Sequence, residues 1–210
     1  MPLIRNDSDP SKAPAPSGSA GEGLTSASSE TRWFAARQLA KDPSAAARLA
    51  SALATETDPR VREALFTSLA HIRTPAAVTA VLSHIRSPEA AVRAAALDAL
   101  NAMPEAVESR LAGLLADPDP DVRLLACDIV RRLPGPVASR YLCTLLEREP
   151  LANVCGAAIE VLCEVGDETA LPYLARCAER FASEPFLVFS IEIASNRLAG
   201  DGRARGPQPP

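Results

Sequence analysis

A short pattern returns along this chain at a nearly constant distance, as Asp58-Pro-Arg-Val61-Arg62-Glu-Ala-Leu, Pro88-Glu-Ala-Ala-Val92-Arg93-Ala-Ala-Ala-Leu and Asp117-Pro-Asp-Pro-Asp-Val122-Arg123-Leu-Leu-Ala. A fixed period constrains an architecture more tightly than any single residue does. With the Val as origin, weaker copies begin at Thr31-Arg32, Val154-Cys155 and Phe186-Leu187. The origins 31, 61, 92, 122, 154 and 186 then lie 30, 31, 30, 32 and 32 residues apart. That length accommodates two helices and two tight turns, stacked as a quasi-one-dimensional array.

The pattern has a mechanical reading. An acid followed by proline opens a helix, because a carboxylate suits the positive end of the helix dipole and proline gives up a hydrogen bond that the first turn does not use. Four and eight residues after each origin come Leu65 and Leu69, Ala96 and Leu100, Ala126 and Val130, and Ala158 and Leu162. This is the one-face spacing of an amphipathic helix and excludes strands. The breakers predict helices over 29–40, 43–55, 59–72, 75–86, 88–101, 104–115, 119–132, 136–147, 151–165, 169–182 and 185–199. Pro43, Pro75, Pro104 and Pro136 open the alternate helices, and short connections force antiparallel neighbours.

With this pattern the chain resembles the HEAT-like repeat family, in the short-repeat form also found in phycobilin lyase subunits, over residues 29 to 199. The resemblance implies an all-α fold, an α-solenoid of about six stacked helical repeats wound as a right-handed superhelix. It also implies a ladder in which the acid before the Val and the Arg after it link neighbouring turns. Asp58, Glu89 and Asp119 with Arg62, Arg93 and Arg123 match that ladder, and the match lapses where Leu151 with Cys155 and Ser183 with Leu187 take those places.

The 47% apolar side chains suffice for a continuous core, whereas 4% aromatics and abundant alanine point to thin, closely packed helices. Residues 1–28, with Pro10, Pro14 and Pro16 among Ser, Gly and Ala, read as a disordered N-terminal arm. Residues 200–210 read as a disordered tail, with Gly200 as the stop signal of the last helix. No apolar run is long enough to span a membrane and Met1-Pro-Leu-Ile-Arg lacks a secretory core, so a cytoplasmic location is expected.

Chemistry is sparse. The five cysteines, Cys127, Cys143, Cys155, Cys163 and Cys177, form no CxxC pair, which argues against a disulfide framework and a zinc cluster. The hydroxylases that resemble this fold use repeated His-Glu pairs, but His71 and His84 are not followed by Glu. A formal charge of −4 and the lack of a basic, aromatic-laced stripe disfavour nucleic acid, leaving Arg131-Arg132 and the tail arginines as helix-end and solvated charges. No serine triad, phosphate loop or catalytic carboxylate pair is recognisable, and neither a metal nor a cofactor is expected.

One constellation reads as functional. Positions two and six after each origin fall off the apolar stripe, and in the family that surface lines the concave side. Position six reads Arg37, Thr67, Asp98, Asp128, Glu160 and Glu192, so four consecutive acids stand about 10 Å apart in adjacent helices. Position two reads Trp33, Glu63, Ala94, Leu124, Gly156 and Val188. Residues 141–196 carry nine acids against three bases. The row is either a solvated face or a site for a protein partner presenting Arg or Lys around an apolar anchor, with Leu124 beside the acids. Trp33 is either a binding hot spot or a lid over the first repeat. The last helix, Phe186-Leu-Val-Phe189-Ser-Ile191-Glu-Ile193, is apolar nearly all round, so the tail or another protein is expected to cover it. These features suggest a non-enzymatic scaffold or adaptor in a bacterial signalling or assembly complex. The alternative that the resemblance permits is a bilin lyase-like or chaperone-like subunit of a two-component system.

Overall fold

Four helices of the array, those opening at Ser29, Pro59, Pro75 and Pro120, begin where a polar side chain accepts from the unpaired N–H groups of the first turn. In the computed structural model, which describes residues 20–204 and the side chains of 21–200, the Ser28 hydroxyl accepts from the Thr31 amide at the start of Ser29–Leu39 (α2). Asp58 accepts from the Arg60 and Val61 amides at 2.9 and 3.2 Å and opens Pro59–Ile72 (α4). Asp119 accepts from the Asp121 amide at 3.0 Å and opens Pro120–Val130 (α8). A cap of this kind is worth about 1 kcal/mol, and the proline behind it is pre-set for the first turn.

The remaining helices are Ala20–Gly23 (α1), Ala46–Thr55 (α3), Pro75–Leu82 (α5), Ala90–Asn101 (α6), Pro104–Leu114 (α7), Gly135–Arg148 (α9), Ala152–Val165 (α10), Leu171–Arg180 (α11) and Pro185–Ala204 (α12). Short 3-10 turns at Pro43–Ala45 and Glu168–Ala170 lead into α3 and α11. The described residues contain no strand, and none of their helices is long and apolar enough to cross a membrane. The even-numbered helices pack side by side as one layer. The odd-numbered helices from α3 onward form a second layer behind them. Between the layers runs one core from Leu24 to Leu198, with Leu49, Leu65, Leu69, Leu100, Leu111, Leu142, Leu162 and Leu174 fully enclosed. This is the expected all-α solenoid.

Several boundaries differ from the sequence reading. The arm expected at 1–28 is ordered from residue 20: α1 packs on α2, Leu24 is buried, and Arg32 donates to the Ser26 and Ala27 carbonyls. Residues 1–19 lie outside the described part. At the other end α12 runs past Gly200, which is therefore not its stop signal; its missing side chain leaves open space and relieves no clash. Residues 205–210 also lie outside the described part. Gly135 does have a packing role, since a Cβ there would come within 2.5 Å of the Val165 carbonyl.

The register of the last repeat is shifted by one. In α4 and α8 the Val stands two residues after the opening proline, and the residue two after Pro185 is Leu187. Leu187, Ile191, Ala194 and Leu198 are buried, whereas Phe186 is 88% exposed. The sixth origin is Leu187, and the sequence reading of Phe186 is corrected.

The ladder between repeats exists with different acids. Arg32 holds Glu56 through two contacts of 2.8 and 2.9 Å, and Arg123 holds Glu149 through two of 2.7 and 2.9 Å. Arg86 pairs with Asp117. These carboxylates stand five residues before an origin, in the loop. Asp58 and Asp119, expected as rungs, serve their own helices as caps, because a carboxylate at that position is engaged by the first-turn amides. Of the expected acids only Glu89 takes a rung, 3.0 Å from Arg62. The arginines also tie down their own loops: Arg62 donates to the Glu56 carbonyl, Arg93 to those of Ser87 and Pro88, and Arg123 to those of Asp117 and Pro118. Where Cys155 replaces the arginine, Arg180 of α11 takes over. Its guanidinium donates to the Leu146 and Glu149 carbonyls at 2.6 and 3.1 Å and approaches the Cys155 sulfur at 3.8 Å.

Candidate partner-binding face

The side that each even-numbered helix turns away from the second layer is set by the same arithmetic as its buried side. Three positions, one before the origin and two and six after it, are exposed or half-buried in successive repeats. They are Arg60, Glu63 and Thr67 on α4; Ala91, Ala94 and Asp98 on α6; Asp121, Leu124 and Asp128 on α8; Asn153, Gly156 and Glu160 on α10. With the corrected register α12 contributes Phe186, Phe189 and Ile193. Glu192 is thus not in the row: it sits one residue off, on the side where a seventh repeat would stack, and is exposed there.

The face changes character along the array. At the N-terminal end Trp33 packs partly against the core, with the Arg37 and Arg60 guanidinium carbons 5.1 and 4.7 Å from its ring centre. Trp33 is thus flanked by cations, and this end is basic and aromatic. Between α4 and α6 lies a groove of about 570 Å³, floored by Phe66, Ala70, Ala95 and Ala99 and rimmed by Glu63, Thr67, His71 and Asp98. Asp98 and Glu63 are exposed and form no ion pair among the described residues.

The central acids are engaged within the protein. Asp128 accepts a hydrogen bond from the Asn101 amide at 2.8 Å and lies 3.3 Å from the Arg131 Nε. The same guanidinium reaches Glu160 at 3.5 Å and pairs with Glu164. Burial pulls the Arg131 pKa down, but Glu164, Asp128 and Glu160 together hold it above its ordinary value. Arg131, a helix-end charge by sequence alone, is the hub of this cluster. Its signal was a basic residue three after a ridge acid, a spacing that brings the two together on one helix face.

The thiols lie mostly inside the protein. Cys127, Cys143, Cys155 and Cys177 are buried, and Cys163 is half-buried. Burial pushes the Cys127 thiol up to about 12 and the Cys143 thiol to about 11. Cys155 and Cys177 interact between α10 and α11. Hydrogen bonding between them raises Cys155 and lowers Cys177 to about 7, in a pocket that leaves Cys177 only 1% exposed. No group of three or more His, Cys, Asp or Glu side chains among the described residues could hold a metal ion.

A second cavity, of about 750 Å³, opens between α7 and α9 in the other layer, with Leu115, Tyr141 and Leu145 in its wall and Arg140 and Arg148 at its edge. No local pattern announces it, because it depends on how far two second-layer helices stand apart.

Known proteins place the repeat. The sequence profile of HEAT repeats matches residues 20–101 and 107–184. Curated proteins include no sequence match. Among solved structures, the phycocyanin lyase complex of CpcE and CpcF from Nostoc sp. PCC7120 is similar at 18% identity and a TM-score of 0.38, over 94% of this chain and 99% of that one. A designed armadillo repeat protein is similar at 14% identity and a TM-score of 0.43, over 85% and 98% of the two chains. An engineered protein is similar at 20% identity and a TM-score of 0.36, over 86% and 95%. With its profile matched over most of its length and its helices paired at the expected period, this chain belongs to the HEAT repeat family.

Proposed function

We propose that the chain is a non-enzymatic scaffold or adaptor that holds a protein partner across the outer face of its first helical layer, the face the family resemblance reads as concave. One observation carries the reading: the same positions of successive repeats stay exposed or half-buried, and at the α4–α6 groove they carry Glu63 and Asp98, acids with no ion-pair partner among the described residues, above a floor of Phe66 and three alanines. Exposed charges of this kind contribute little to folding but set complementarity and association rate. A partner with a basic surface fits, its Lys or Arg stems lying on the alanines and its cationic heads at the rim. The bacterial, cytoplasmic signalling or assembly setting belongs to the same proposal.

The test uses Glu63→Lys with Asp98→Lys. Proteins captured from the native host by wild-type chain are identified by mass spectrometry and titrated against both forms at low and high salt. The expected outcome is a basic partner whose affinity falls at least about tenfold in the variant and weakens with salt. Equal capture by both forms overturns the reading.

A second reading, a bilin lyase-like or chaperone-like subunit, draws on the cavity between α7 and α9. Its size and apolar wall suit an extended tetrapyrrole, and Arg140 and Arg148 suit that molecule's carboxylates. Incubation with a bilin and its apoprotein separates the two, since an adaptor transfers no chromophore.

A further inference from the structure

At its N-terminal end the outer face of the first layer carries cations that the fold leaves unspent. Arg37 and Arg60 belong to different helices, α2 and α4, and place their guanidinium carbons 5.1 and 4.7 Å from the centre of one indole, that of Trp33. The shared ring keeps the two groups within about 10 Å of each other. Both side chains are exposed, as is Lys41, and among the described residues the three form no ion pair and donate no side-chain hydrogen bond. Trp33, Arg37 and Lys41 recur every four residues, one stripe along α2 and the turn after it. The same end holds a hollow of about 420 Å³ with the half-buried Trp33 and Phe34 in its wall, Arg37, Gln38 and Lys41 around them, and no acid in its lining. Glu30 and Glu63, exposed acids one turn from Trp33 and from Arg60, pair with none of the three cations.

A guanidinium stacked on an aromatic ring keeps its in-plane N–H groups available, so the indole fixes each arginine without consuming its donors. Long side chains held in advance also lose less freedom when an anion arrives.

We infer that the Trp33 end receives an acidic amphipathic segment of a partner protein, whose carboxylates engage Arg37, Lys41 and Arg60 while an apolar side chain beside them rests on Phe34 and Trp33. Spacing selects this occupant. Positions four apart on the α2 stripe are separated by roughly 6 Å, and carboxylates at i and i+4 of a partner helix stand about 5–6 Å apart. The aromatic wall selects an apolar neighbour for those acids. A nucleic acid strand fits worse, because its closely spaced phosphates would run past three cations into the acids of the adjoining groove, Glu63 and Asp98. This site takes the opposite charge from that groove and does not rest on the partner-binding proposal.

Trp33 is the only tryptophan, so its fluorescence reports the site directly. The probe is a synthetic amphipathic helical peptide with Glu at i and i+4 beside a Leu stripe. It is titrated into the full chain and followed by Trp33 emission and, independently, by isothermal calorimetry. Exposed charge pairs are individually weak, so half-saturation is expected on the order of 0.1 mM at low salt and should weaken as salt rises. A peptide with Gln in place of each Glu should bind at least about tenfold more weakly. The acidic peptide should lose as much on the variant with Arg37→Gln and Arg60→Gln, at unchanged helicity by circular dichroism. Glu63→Lys with Asp98→Lys should not weaken this titration, so the two proposals fail separately. No saturable binding by either readout up to about 1 mM peptide overturns the inference, as does equal binding by the Gln peptide or by the arginine variant. A single-stranded oligonucleotide that binds more tightly than the peptide overturns it in favour of nucleic acid.

Discussion

Arg123 on α8 grips Glu149, in the loop before α10, with Nε at 2.7 Å and Nη2 at 2.9 Å, and the Glu149 side chain is 1% exposed. The same carboxylate accepts from the Leu151 amide at 3.0 Å, so one group joins the fourth repeat to the fifth and caps the turn between them. Glu149→Ala should therefore cost about 3 kcal/mol in urea-unfolding stability, because it leaves the Arg123 charge without its partner in a mostly enclosed place. Arg123→Met with Glu149→Leu should cost less than the two single changes added together, which a double-mutant cycle measures.

The acid limb of the stability curve should report the rungs. The Arg32 guanidinium holds Glu56 below the ordinary glutamate range. At Asp117 burial pushes upward, but Arg86 and the Asp119 amide outweigh it and hold the group low. A depressed carboxylate stabilises fully above its unfolded value, about 4.3 for Glu and 3.9 for Asp, and that stability is lost as pH falls through the folded value. Thermal midpoints should thus be nearly level down to about pH 5 and drop below about pH 4. Glu56→Gln should lower the midpoint at pH 7 and flatten the acid limb.

The corrected register separates two adjacent residues. Leu187→Asp places a charge against α10, where Leu187 Cδ1 lies 3.8 Å from where a Cβ on Gly156 would stand, and should cost several kcal/mol. Phe186→Asp lies on the open side and should change stability by about 0.5 kcal/mol or less. Thermal melts of the two variants check this; equal losses would return the origin to Phe186.

Thiol labelling of the native chain should find one fast cysteine. Cys163 is half-buried, whereas the other four are at most 5% exposed. A chromogenic disulfide should react promptly with Cys163 alone and reach all five after denaturation, and Cys163→Ser should remove the fast phase.

The helical class, the pairing of helices and most boundaries were readable from the chain, because a period near thirty, proline at first turns and capping acids act locally. Asp58 and Asp119 stand where a helix must begin, and they begin one. What depends on distances between repeats was not readable. Glu56 and Asp58 are two residues apart in one loop, and only the stacking decides that the first reaches Arg32 while the second caps α4. Arg131 finds Glu164 across 33 residues. The stretch from Phe186 to Ile193 is apolar in either of two registers, so periodicity alone cannot choose between them. Contact with α10 and α11 buries Leu187 and leaves Phe186 outside. Local spacing specifies how each helix is built and which residues share a face, whereas the separation and twist between helices decide which faces meet.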